Sequence, residues 1–243
     1  MKKLAILGCS QSCGQYDDRG KHETMLEYGY WVGWPHDIYE KYNYETHVYS
    51  YPGGGIQDVF FTLNYFLSNK ILFDKIIIQL TSEPRFQYWV NNKNWTENSR
   101  YLKFKKFTNP NKTEQFYRWF IGYGNMSANG DPASSIIVQT NHYMAYLINL
   151  LDVIDYFNET KLFDILGFHW TPMGDQKISI PNFNKKEIKF VKRKISFKSW
   201  LIDKIGDKKY TLHFIDGGSH LDEAGQKYLV NEYLKNELDE FLL

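Results

Sequence analysis

Cysteine, excess charge and long apolar runs are all scarce in this chain of 243 residues. Its two cysteines, Cys9 and Cys13, stand close together with no histidine near them in sequence. Two ligands at that spacing do not hold zinc, and a disulfide around so short a loop contributes little. Free, small, semi-buried thiols are expected. Asp17-Asp18 and the Asp152/Asp155 pair lack a matching cluster and are expected to be solvated, so no metal site is expected. Lys and Arg number 29 against 28 Asp and Glu, which leaves no net field to steer nucleic acid or an acidic membrane surface. Lys185, Lys186, Lys189, Lys192, Arg193 and Lys194 do cluster, and a solvated face is the expectation for them. No apolar run approaches transmembrane length. The opening Met1-Lys2-Lys3 has the outline of a leader, but its apolar stretch, Leu4 to Leu7, is shorter than the roughly 7–15 residues a leader uses. It is expected to be a strand. The glycines from Gly8 to Gly14 do not complete a dinucleotide fingerprint, so no nucleotide cofactor is expected.

Aromatic residues are abundant, at 18% of the chain. Trp and Tyr present an apolar plane with a polar edge, which suits core filling, sugar faces and interfaces alike. Periodicity predicts a strand over residues 3–8, a second over 46–51, a continuous apolar third over 74–81 and a fourth over 162–168. Helical spacing is predicted over 27–42 with an interruption at Pro35, over 57–67, over 135–157, and in the tail after Ser219. The tail places Ala224, Tyr228, Leu229, Tyr233, Leu234 and Leu238 broadly on one face. Residues 86–135 show no regular period and are rich in Asn, Lys and aromatics; they are expected to form an insertion over the sheet's carboxyl edge, as a lid or substrate wall. Strand–helix alternation predicts a single α/β domain over 1–243, a three-layer α/β/α sandwich around a central parallel sheet.

In such sheets ligands bind beyond the carboxyl ends of the strands. Ser10 follows the first strand across Gly8, and a serine there becomes a nucleophile when a base takes its proton and donors hold the oxyanion. Gly8-Cys9-Ser10-Gln11-Ser12 resembles the Gly-Asp-Ser block that opens the SGNH (GDSL-like) hydrolases, in a Gly-Cys-Ser form similar to a divergent branch seen in microbial and phage proteins. Pro52-Gly53-Gly54 resembles the second block, Gln79-Leu80-Thr81-Ser82 takes the place of the third, and Asp216-Gly-Gly-Ser-His220-Leu resembles the closing Asp-x-x-His block. The resemblance spans nearly the whole chain outside the insertion. It implies the flavodoxin-like sandwich of that family, a catalytic Ser10, His220 and Asp216, and an oxyanion hole from the Ser10 and Gly53 amides. Neither metal nor cofactor is implied. Three departures stand out: Cys9 replaces the family's Asp, the third block lacks the Asn that donates to the oxyanion, and Asp216 lies four residues before His220 rather than three. Thr81, Ser82 or Arg85 is open to the donor role, and Arg85 alternatively to an anionic substrate. Gln11, His169 and Trp170 join Arg85 as candidate substrate contacts, with packing as the other role open to His169.

The expected function is a serine esterase or acyl hydrolase acting on a small acyl ester, with O-acetyl groups on a carbohydrate favoured by the aromatic insertion. A small molecule or glycan ester is then the partner, and the cytoplasm or a virus particle the expected setting. Two alternatives remain: a binding or structural module that keeps the fold without turnover, and an acyltransferase with the same triad. Each residue also has an ordinary role: Ser10 as a helix cap, the glycines as a tight connection, Asp216 as a turn residue and His220 as a solvent-facing side chain.

Overall fold

In the computed structural model, the described residues are 1–9, 11–12, 33–50, 55–80, 86–88, 99–103, 105–106, 115–121, 149–150, 152–157, 159–170, 193, 195–206 and 220–243. They form β1 (Lys3–Gly8), α1 (Trp34–Tyr42), β2 (Glu45–Ser50), α2 (Ile56–Ser68), β3 (Lys75–Leu80), β4 (Phe86–Tyr88), β5 (Ser99–Lys103), β6 (Lys105–Lys106), β7 (Gln115–Ile121), β8 (Asp164–His169), α3 (Phe197–Ile205), α4 (Glu223–Tyr228) and α5 (Lys235–Leu242). The main sheet has the order β6-β2-β1-β3-β8. β1 pairs in parallel with β2 on one side and β3 on the other, with Leu7 opposite both Tyr49 and Ile78. β8 continues the parallel ladder on β3, and β6 adds to β2 antiparallel.

Side chains alternate across a strand, and here the alternation separates two cores. Leu4, Ile6, Val48, Ile77, Leu166 and Phe168 face one way, onto α1, α3 and the tail helices through Trp34, Ile38, Phe197, Leu229, Tyr233 and Leu238. Ala5, Leu7, Ile76, Ile78, Leu80 and Ile165 face the other, onto α2 through Val59, Leu63 and Phe66 and onto the helical stretch 152–157 through Ile154 and Phe157. The molecule is therefore a three-layer α/β/α sandwich. Strands covered on both faces are apolar at nearly every position, which is why β1 reads as an apolar run from Leu4 to Leu7 and β3, after Lys75, departs from one only at Gln79.

Several elements differ from the sequence expectation. Pro35 does not interrupt a helix; it lies in the first turn of α1, where a missing N–H costs nothing. Residues 27–32 of that expected helix lie outside the described residues, as does all of 135–148. The tail is not one regular helix. Leu229–Tyr233 forms a π-helical turn between α4 and α5, and the wider turn rotates the apolar stripe. Ala224 is consequently exposed, while Gly225 and Gln226 face inward. Within 86–135, expected to be irregular, β4, β7 and β5 form a three-stranded antiparallel sheet and β6 joins the main one. Of the basic cluster, the described residue Arg193 is not simply solvated. Its guanidinium lies 4.8 Å from the Tyr233 ring centroid, and its Nε is 2.7 Å from Glu237.

Two hydroxyls tie the end of the chain to the start of β2: Tyr42 donates to Asp239 at 2.7 Å and Tyr44 to the Leu242 carbonyl at 3.2 Å. Leu63 in α2 is fully buried, whereas Leu72 is 63% exposed. Leu63→Ala is expected to cost about 2–5 kcal/mol in urea unfolding. Leu72→Ala is expected to stay within about 0.5 kcal/mol.

Candidate active site

β1 leads straight into a turn. The Ser12 amide donates to the Cys9 carbonyl at 3.0 Å, closing four residues whose second position is Ser10 in sequence. This turn is anchored on the neighbouring strand by Gln79, a fully buried residue near the end of β3. Its Oε1 accepts from the Ser12 hydroxyl and, at 3.5 Å, from the Cys9 amide. Its Nε2 donates to the Cys9 sulfur at 3.4 Å. A carboxamide at 0% exposure is stable only if its polar atoms find such partners. The space for it comes from Gly8. A Cβ there would lie 2.5 Å from the Ser12 Oγ, 2.7 Å from the Gln79 Oε1 and 2.9 Å from the Gln79 Cβ. Cys9 is a free thiol, 1% exposed; Cys13 lies outside the described residues.

The opposite end of the chain comes to the same place. The Leu221 amide donates to the Gln11 Oε1 at 3.3 Å, across 210 residues of sequence. Gln11, expected to touch substrate, is 3% exposed, and Leu221 is fully buried. His220, the residue before Leu221, is partly exposed. Asp222 then caps α4 by accepting from the Gly225 amide at 2.6 Å. The segments flanking Ser10 and following His220 thus meet at the carboxyl edge of the sheet, next to the end of β3. Ser10, Asp216, Gly53, Thr81, Ser82 and Arg85 themselves lie outside the described residues.

β2 ends at Ser50, and at the α2 N-terminus the Gly55 amide donates to the Asp58 carboxylate at 2.7 Å and the Asp58 amide donates to the Gly55 carbonyl at 3.0 Å. On the far side of β3, β8 ends with His169 opposite Leu80, and the Trp170 amide donates to the Leu80 carbonyl at 2.9 Å. Trp170 is 7% exposed and packs on Phe197 at 5.1 Å between ring centroids. The His169 Nδ1 is enclosed without a hydrogen-bond partner. Burial lowers the imidazole pKa to about 4, so the ring is neutral near pH 7. No group of three or more His, Cys, Asp or Glu suited to a metal ion occurs among the described residues. Nor, among them, is any helix long and apolar enough to cross a membrane.

The sequence reading did not single out Ser12 as a functional residue, and it used Gln79 only as part of a block. The available signal was a glutamine inside the apolar run Ile76-Ile77-Ile78-Gln79-Leu80. A polar residue in a strand buried on both faces needs a polar partner, and the nearest are on the adjoining strand's exit turn.

No family model matches the chain, and neither does any curated protein sequence. In structure it is similar to an acetyl xylan esterase, Est2A, from the rumen bacterium Butyrivibrio proteoclasticus, with 14% sequence identity and a TM-score of 0.41. The superposition covers 99% of this chain and 65% of that one, so the chain spans less than two thirds of the esterase's length.

Two outcomes follow from the site's packing. Gly8→Ala forces the Gln79 stem and the Ser12 hydroxyl apart, and is expected to lower stability by about 1–3 kcal/mol in denaturant titration. His169 binds a proton more weakly folded, near pH 4, than unfolded, near 6.5. Its contribution is therefore complete above about pH 6.5 and is lost as the pH falls towards 4. In His169→Gln the loss of stability over that interval should be shallower, by an amount on the order of 3 kcal/mol, measured as urea midpoints at several pH values.

Proposed function

We propose that this chain is a serine esterase of the SGNH type, cleaving small acyl esters through Ser10, His220 and Asp216. The observation that carries the reading is the junction of Gln11 with Leu221, the immediate neighbours of Ser10 and His220, at the carboxyl edge of a parallel sheet. That edge is where α/β folds assemble sites from separate loops. In the proposed reaction His220 takes the Ser10 proton as Oγ attacks the acyl carbonyl, while Asp216 orients the imidazole. The tetrahedral adduct collapses to an acyl-serine, and the leaving alcohol takes the proton from His220. Water, deprotonated by the same ring, then attacks the acyl-serine and releases the acid. Amides of Ser10 and Gly53 would hold the oxyanion, joined by Thr81 or Ser82 in place of the missing Asn. Each such donor is worth about 3 kcal/mol at the transition state. Arg85 and His169 are assigned to the substrate, whereas Trp170, expected to join them, is buried against Phe197 in the core.

A carbohydrate ester is the favoured substrate class. Support comes from the β4-β7-β5 register: Phe86 and Tyr88 stand opposite Ile121 and Trp119, and Tyr101 stands opposite Tyr117. Aromatic planes of this kind suit the apolar faces of sugar rings.

A fluorophosphonate probe tests the chemistry. The wild-type protein is expected to label at Ser10, and labelling is expected to disappear in Ser10→Ala and to fall by roughly a thousandfold or more in His220→Ala. A folded wild type that the probe leaves untouched would rule out an activated serine, and the chain would then be a binding module on the same scaffold. Release of acetate from acetylated sugars by the unlabelled wild type, abolished by prior labelling and without preference for an alcohol acceptor over water, separates hydrolase from acyltransferase.

A further inference from the structure

We propose that His169 donates from its Nε2–H to an uncharged oxygen of the substrate and so helps select which ester is held, a role that rests on the esterase reading above. The strand sets its place. β8 follows β3 to a last rung at which His169 stands opposite Leu80. Its neighbours are fixed in one core: Phe168 packs edge-on against Trp34 at 5.6 Å between ring centroids, and Trp170 is buried in the same cluster. Side chains alternate along a strand, so the imidazole turns to the other face, the one it shares with the fully buried Leu80. Two amides hold the backbone beyond the strand end: Trp170 donates to the Leu80 carbonyl at 2.9 Å, and Lys198 to the Trp170 carbonyl at 3.0 Å.

The two ring nitrogens stand in different surroundings. The residue as a whole is half-buried; Nδ1 is enclosed with no hydrogen-bond partner, whereas Nε2 is not sealed off in that way. Burial keeps the ring neutral near pH 7, so it carries one proton and one lone pair. An enclosed N–H without an acceptor is rarer in folded proteins than an enclosed acceptor without a donor. The proton therefore belongs on Nε2, and the accessible edge of the ring is a donor. A nitrogen already protonated in this way cannot serve as a base, which separates His169 from the role given to His220. A neutral donor matches a hydroxyl, ring or ester oxygen; a carboxylate or phosphate is better met by a charged, bidentate group. In the sheet order β8 lies two strands from β1, about 10 Å at ordinary strand spacing. The donor thus meets the substrate away from the scissile bond, where it acts on the choice of ester rather than on the bond itself.

The tautomer is read from a long-range proton–nitrogen NMR spectrum of the wild type at pH 7, with the His169 signals assigned by their loss in His169→Gln. The proton is expected on Nε2, and the Nε2 resonance is expected to move when an O-acetylated disaccharide is added to the Ser10→Ala protein. Kinetics supply the second readout: kcat/KM for that disaccharide divided by kcat/KM for nitrophenyl acetate. The ratio is expected to fall roughly three- to tenfold in His169→Phe, the loss of one neutral hydrogen bond. In His169→Gln, whose amide nitrogen takes the place of Nε2, it should return towards wild type. A proton on Nδ1, an Nε2 resonance that the sugar leaves in place, or an unchanged ratio in His169→Phe would overturn the proposal. If the wild type neither labels with the fluorophosphonate nor turns over either ester, the esterase reading fails; the donor stands if the sugar still moves a protonated Nε2, and falls with it otherwise. The NMR readouts are taken on proteins that keep His169, so they decide even where His169→Phe does not fold.

Discussion

The molecule depends on β1 being enclosed on every side. Its ladder partners are β2 and β3, and its two faces are covered by separate helical layers, so every residue from Leu4 to Leu7 is fully buried. A strand in that position cannot slip by one residue without exchanging one core's side chains for the other's. The end of β1 is therefore the most rigid point from which a loop could emerge. The exit turn inherits that rigidity, and Gln79 extends it by binding the turn from β3 rather than from within the turn itself.

The site is built from sequence extremes for the same reason. Loops that meet at a sheet's carboxyl edge are brought there by the strands, whatever their separation along the chain. The exit of β1 and the entry of α4 meet through one amide and one carboxamide oxygen. Polar groups so deeply buried are costly when unpaired. The junction is thus specified by the same burial that stabilises the fold.

How much of this was legible depended on the element. β1, α2 and β3 were read almost to the residue, because double-sided burial writes continuous apolar runs and Gly55 marks where α2 begins. α3 had no counterpart among the expected elements, although Phe197, Trp200 and Leu201 follow Ser196 at helical spacing and the Ser196 hydroxyl caps the Ser199 amide. β7 escaped because Phe116-Tyr117-Arg118-Trp119-Phe120 carries aromatics at consecutive positions, which erases a period of two. The π turn was beyond reach, since its rotation of the stripe is visible only once Gly225 and Gln226 are seen facing inward. At the candidate site, the order of the blocks placed the exit of β1 beside the entry to the tail helices, and Gln11 and Leu221 meet there. What the blocks did not disclose was that Gln11 would turn away from any ligand, because that depends on a partner at the other end of the chain.

β6 is a strand of only two residues, Lys105 and Lys106, laid antiparallel on His47 and Val48. An unpaired flank on β2 would offer its amides and carbonyls to any other extended chain, the starting point for edge-to-edge aggregation. By pairing there, the inserted region covers the flank of the main sheet. Shortening the insertion for crystallisation or expression would therefore be paid for in solubility, even where the sandwich itself stayed folded.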